Sequence, residues 1–133
     1  MKKILGMILF FLFFVAAITE GADWVLITSS DGGDKIYVDE ESIRRNSSNT
    51  IKVWEKHVPE GSTFEKPFNS KKVTRLLIYR EYDCDQGRKR RLQIHFYFED
   101  GTNQNYPGLH EWSYIVPGTV AEEIIQYVCK NVK

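Results

Sequence analysis

The chain lacks the short motifs on which the common catalytic chemistries rest. His57, His95 and His110 are scattered, without the i, i+4 or close pairing that metal sites use. A solvated or packed imidazole is the plainer reading of each. There is no Gly-x-Ser-x-Gly elbow and no glycine loop that would cradle a phosphate. Cysteine is scarce: Cys84 and Cys129 are the whole complement, and they form no C-x-x-C pair. Asp83 and Asp85 flank Cys84, and neighbouring carboxylates disfavour the thiolate that redox or nucleophilic chemistry needs. Carboxylates are plentiful, but nothing in the sequence pairs two of them in a cleft. Net charge is also lacking, with 18 basic against 18 acidic residues. No global field therefore draws the chain onto nucleic acid or an anionic membrane. Internal repeats and low-complexity stretches are absent. The expectation is a protein that is not an enzyme, holds no metal or cofactor, and has no nucleic-acid partner.

The one long apolar run, Ile4 to Ile18, is shorter than the ~20 residues that a bilayer-spanning helix requires. Lys2 and Lys3 precede it, small residues follow, and Glu20 and Asp23 end it. That is the layout of a secretory signal peptide, assigned here to residues 1–21. An uncleaved N-terminal anchor is the alternative. Val15-Ala16-Ala17 and Thr19-Glu20-Gly21 both offer cleavage points. No cysteine lies nearby, so no lipoprotein anchor is expected. Removing the segment leaves the charge near balance. Residues 22–133 then form one domain, since about 110 residues suffice for a single core. In an oxidising compartment Cys84 and Cys129 are expected to form a disulfide. Closing a loop of roughly 45 residues, it would contribute about 4 kcal/mol.

Beyond the signal the pattern is mostly period two, as in strands. Asp23 to Thr28 and Lys35 to Val38 flank the tight-turn sequence Asp31-Gly32-Gly33-Asp34. Asp39 to Arg45 reads as one or two helical turns, with Asp39 capping, Glu40 and Glu41 at the positive end and both arginines at the negative end. Helix-end chemistry explains this acidic triplet more economically than a cation site does. Ile51 to Val58 is a third strand, followed by a long loop from Pro59 to Lys72. Val73 to Cys84 and Leu92 to Glu99 are the strongest strands. Leu92, Ile94, Phe96 and Phe98 fall on one face of the second, and Leu76, Ile78, Tyr82 and Cys84 share a parity in the first. Asp100-Gly101 turns into Thr102 to Tyr106, and a short strand is expected around Trp112 to Val116.

The period changes at the end of the chain. Thr119 to Glu122 matches a capping box, and Ala121, Ile124, Ile125, Val128 and Cys129 share a helical stripe. The expected fold is α+β: a curved antiparallel sheet of about six strands with a C-terminal helix on its apolar face. The disulfide would staple the two together.

Arg88-Lys89-Arg90-Arg91 is placed in the turn between the two strongest strands. A solvated, charge-offset turn is the plainer account. The functional one is weak, salt-sensitive binding of a polyanion such as a sulfated polysaccharide. Trp24, Trp54, Tyr79, Tyr97 and Trp112 share either the core or an outer sheet face, and in so small a domain the core is the more economical place for them.

Several segments in order, Trp24, Tyr37-Val38-Asp39, Ser42-Ile43-Arg44, Ile51 to Lys56, Glu81-Tyr82-Asp83-Cys84, Val116-Pro117-Gly118-Thr119 and Val128-Cys129, resemble the bacterial surface-adhesin protein E family. They span nearly all of the chain after the signal. The resemblance implies a curved antiparallel sheet with a C-terminal helix pinned by a Cys84–Cys129 disulfide. It also implies a non-enzymatic surface protein, since the best-known members bind host matrix and serum proteins such as vitronectin, laminin and plasminogen. Those adhesins carry a lipid on a cysteine after the signal, which this chain lacks. The Pro59–Lys72 loop matches no family segment, so no binding residue carries over. The implied function is an exported binding protein for a host matrix or serum component or an envelope component, a homodimer being one assembly open to it. The alternatives are a periplasmic structural or accessory domain and a small-ligand carrier with an aromatic pocket under the helix.

Overall fold

The computed structural model describes residues 21–60 and 71–133. Residues 1–20, within the segment expected to be a signal, and the middle of the expected Pro59–Lys72 loop lie outside the described residues. The described strands are β1 (Trp24–Ser29), β2 (Lys35–Asp39), β3 (Arg44–Arg45), β4 (Ile51–Val58), β5 (Val73–Asp83), β6 (Arg88–Phe98), β7 (Asn103–Pro107) and β8 (Ser113–Tyr114). They form one open antiparallel sheet in the order β1-β2-β4-β5-β6-β7, with β3 added to β4 and β8 to β6. The six strands of the main path match the sequence expectation, and the two additions are two-residue pairings at the margins. The helix α1 (Val120–Lys130) closes one side.

Period-two alternation decides the two faces. Ile51, Val53 and Glu55 of β4 point inward with Leu76, Ile78, Arg80 and Tyr82 of β5, and Lys52, Trp54 and Lys56 point outward. The helix lays Ile124, Ile125 and Val128 on the inner face, against Ile36, Val38, Ile43, Ile51, Val53 and Tyr82. Each such fully buried aliphatic contributes about 1.5–3 kcal/mol. A second apolar cluster, Val73, Leu76, Ile78, Ile94 and Phe98, lies farther along the same face toward β7. The Cys84–Cys129 disulfide ties the end of β5 to the last turn of α1, with the Cα atoms 6.1 Å apart. Sheet, helix and staple are therefore as the period and the cysteines indicate.

Three local expectations are corrected. Asp39 does cap, accepting from the Glu41 amide at 3.2 Å, but the turn is a single 3-10 turn, Glu40–Ser42. Arg44 and Arg45 leave it to pair with β4, because backbone pairing to Lys52 and Ile51 satisfies their amides better than a fraying helix end does. At α1 the box is half-made. Glu122 accepts from the Gly118 amide at 3.0 Å, whereas the Thr119 hydroxyl turns back to the Val116 carbonyl. Finally, β6 begins at Arg88 rather than Leu92, so the basic run lies in a strand and the turn is Cys84–Gly87.

Candidate interaction surface

A bulge at Leu92 governs the chemistry of β6. Gln93 faces Tyr79, but Arg91 faces Arg80, so one residue of β6 is left out of the ladder. A bulge shifts the parity of everything beyond it. Arg88 and Arg90 consequently join the outer face opposite Asp83 and Glu81, while Lys89 and Arg91 join the inner face opposite Tyr82 and Arg80. The four cations do not form one patch.

On the outer face the rings and cations interleave. Trp54 stacks on its cross-strand neighbour Tyr79 with centroids 4.9 Å apart, and His95 meets Trp54 edge-on at 5.6 Å. The Lys56 ammonium sits 4.8 Å from the centre of the Trp24 ring and 4.7 Å from that of Tyr37. Arg75 lies 4.0 Å over Tyr97, and Arg88 and Arg90 each lie 4.6 Å from Trp112. Trp24, Trp54, Tyr79, Tyr97 and Trp112 are all half-buried, and none belongs to the core. The more economical core placement of these rings is therefore overturned. Alternation puts Trp54 outward between the inward Val53 and Glu55, and branched aliphatics fill the space under the helix instead.

Beneath the outer cations lies a satisfied acidic layer. Glu81, 1% exposed, accepts from Arg90 at 2.7 Å, from Asn46 at 2.8 Å and from the Thr50 hydroxyl. Burial pushes its carboxyl up, but these donors outweigh that and hold it below the usual range. Arg88 pairs with Asp83 at 3.0 Å. Lys52 stands between Arg44 and Glu81 across the ladders. With its acids sunk beneath the arginines, the outer face presents rings and positive charge.

The inner face holds a buried polar group that sequence reading missed. Glu55 is fully buried between the two apolar clusters, with the Tyr82 hydroxyl donating to it at 2.7 Å and His57 Nε2 3.2 Å away. Arg80 Nε lies 2.6 Å from its carboxylate, off the hydrogen-bond direction. Burial raises the Glu55 carboxyl, but Arg80, His57 and Tyr82 together hold it down at about 2. Glu55 occupies an inward register position next to Val53, and that parity was the available signal. Among the described residues no group of three His, Cys, Asp or Glu side chains is placed to hold a metal. The underside of α1 packs Ile124, Ile125 and Val128 into the core, and among the described residues the cavity between α1 and β1 has Tyr127 as its one aromatic, beside Ile27, Glu123, Gln126 and Lys130.

A sheet of this order with one stapled helix can be compared with known proteins. The family model described as surface-adhesin protein E matches residues 24–130. The chain belongs to that family. Among solved structures, crystal form II of Haemophilus influenzae protein E superposes with a TM-score of 0.58 at 15% identity, covering 81% of this chain and 87% of that one. The selenomethionine form of the same protein gives 0.58 at 15% identity, covering 82% and 87%. Protein E from non-typeable H. influenzae gives 0.54 at 14% identity, covering 84% and 79%. At these identities the shared property is the fold. Among curated proteins, none matches the chain. Among the described residues no helix is long and apolar enough to cross a membrane.

Proposed function

We propose that this member of the surface-adhesin protein E family is an exported, non-enzymatic binding module whose outer sheet face recognises a protein surface. The partner is a host matrix or serum protein, or a component of the envelope. The observation that carries this reading is the half-exposed tract of Trp24, Tyr37, Lys56, Trp54, Tyr79, Arg75 and Tyr97 on the face opposite the helix. Trp, Tyr and Arg dominate the centres of protein interfaces, because they bury large area with few rotors and donate from fixed geometry. Charge favours an acidic partner surface. Export rests on the assignment of residues 1–21 as a signal, and assembly as a homodimer through the same face is a further form the module can take.

The test is protease accessibility of a tagged full-length protein on intact cells, followed by binding to immobilised matrix and serum proteins. Cleavage on whole cells and saturable binding that weakens at least tenfold in Trp54→Ala or Arg75→Ala support the reading. Protection until lysis would retire adhesion in favour of a periplasmic accessory role. A second reading, weak binding of sulfated polysaccharide, now rests on Arg88 and Arg90 with Trp112, since Lys89 and Arg91 face the other way. Unchanged heparin affinity after neutralising all of Arg88, Lys89, Arg90 and Arg91 would remove it.

A further inference from the structure

The inner face has an imbalance that the outer face does not. Arg80 and Arg91 stand directly opposite each other across the β5–β6 ladder, and Lys89 follows on the same face opposite Tyr82. Like charges placed so are mutually destabilising unless something sits between them. One carboxylate, Glu55, is available, and Arg80, His57 and Tyr82 already occupy it. Among the described residues neither Lys89 nor Arg91 has an ion-pair partner. Arg91 Nε is buried with no hydrogen-bond acceptor, whereas the Nε of Arg80 lies against Glu55. A buried donor without an acceptor has lost its hydration and gained nothing in return. Burial first, and then the Arg80 charge, pulls the Lys89 ammonium below its ordinary range. These are the properties of a place that holds an anion.

Arg91 also forms one wall of a groove of about 340 Å³, whose other walls are Ile94, Phe96, Tyr106, Pro107 and Leu109. That volume falls at the small end of ligand pockets. The groove is apolar apart from Arg91, and Leu109 on its rim is 71% exposed. Gly108 fixes this wall. A Cβ there would lie 1.8 Å from the Arg91 carbonyl oxygen, and the Gly108 amide donates to the Leu92 carbonyl at 2.9 Å. The Leu92 bulge, which turns Arg91 inward, is thus pinned by the groove's own rim. A cationic end and an apolar trough meeting at one residue define an amphipathic ligand with a single negative head.

We propose that the inner face between β5, β6 and β7 binds an acyl-chain carboxylate, its head on Arg91 and Lys89 beside Arg80, and its chain in the Ile94–Phe96–Tyr106–Leu109 groove. The site is separate from the outer tract, so it stands whether or not the outer face binds protein. Charge complementarity selects an anion over a cation or neutral amphiphile. The single wall of cations and the small groove select one carboxylate with one chain over a two-chain lipid.

The test is calorimetric titration of the purified full chain with laurate below its micelle concentration, with dodecanol, dodecyltrimethylammonium and acetate as comparators. Saturable one-to-one binding of laurate is expected, with dodecanol and the ammonium at least about tenfold weaker, equivalent to about 1.4 kcal/mol. Arg91→Met and Lys89→Met should each weaken laurate about tenfold without loosening the fold, as judged by circular dichroism, and Leu109→Ser should weaken it severalfold. If either cation variant unfolds, Arg91→Lys, which keeps the charge, should retain laurate binding. Laurate failing to bind, binding no better than dodecanol, or binding undiminished to the Lys89→Met/Arg91→Met double variant would each overturn the proposal. Acetate binding as tightly as laurate would overturn the role of the chain and leave a simple anion site. A failure of the outer face to bind protein is read from a different surface and leaves these outcomes intact.

Discussion

The two faces of the β5–β6 pair carry the same kinds of residue to opposite ends. On the outer face every arginine is partnered: Arg75 with Tyr97, Arg88 with Asp83 and Trp112, Arg90 with Glu81 and Trp112. On the inner face Arg80 holds the buried Glu55 carboxylate, and among the described residues Lys89 and Arg91 have no ion-pair partner. The lesson is that a basic run is informative through its partners rather than its length. Charge that is already matched by rings and carboxylates serves a contact surface, whereas charge left unmatched in a low-dielectric setting is poised for a ligand.

The largest effect should come from the staple that holds the inner face shut. Cys84→Ser with Cys129→Ser is expected to lose about 4 kcal/mol in chemical denaturation, from the loop it releases. Next, Glu55→Gln leaves Arg80 buried without its counter-charge and should lose about 3 kcal/mol at neutral pH. Its pH dependence sharpens the comparison. The folded carboxyl titrates at about 2, below the ordinary 4.5, so its contribution is complete above about 4.5 and is lost as pH falls toward about 2. Acid denaturation of the wild type should therefore show a component in that window that Glu55→Gln lacks. If the two acid profiles have the same shape, the inner pair is not the acid-sensitive element.

Gly108→Ala places a methyl against the Arg91 and Leu92 backbone and should lose about 2 kcal/mol by thermal melting. Outer-face truncation should be milder: Trp112→Ala is expected to lose about 1 kcal/mol, through two cation–ring contacts at half-exposed positions. The smallest effect separates the faces most sharply. Arg91→Met should stabilise the ligand-free protein by a few tenths of a kcal/mol, because it removes a like charge facing Arg80. A clear loss of stability would mean that Arg91 is already compensated.

Much of the architecture was legible in the residues themselves. The alternation in Ile51–Val58 and Val73–Asp83 located the central strands, and the stripe Ile124, Ile125, Val128 located the helix and its buried side. Glycine turns at Asp31–Asp34 and Asp100–Gly101 marked the hairpins. The candidate surfaces were less legible. Aromatic content named the right rings but not their face, and the four adjacent cations suggested one patch where there are two half-sets. Glu55 gave no sign of burial apart from its parity with Ile51 and Val53, since a carboxylate reads as solvated until its partners are known.

Local periodicity, cysteine count and turn chemistry by themselves determined the sheet, the helix and the Cys84–Cys129 bridge, because each depends on residues near in sequence or on a choice among two thiols. Tertiary structure alone decided which face each cation meets. The single residue left out of the ladder at Leu92 inverts the parity of Arg88 to Arg91. Its position is set by how β6 pairs with β5 and by the close approach of Gly108, and contacts between distant segments leave no local periodicity to read.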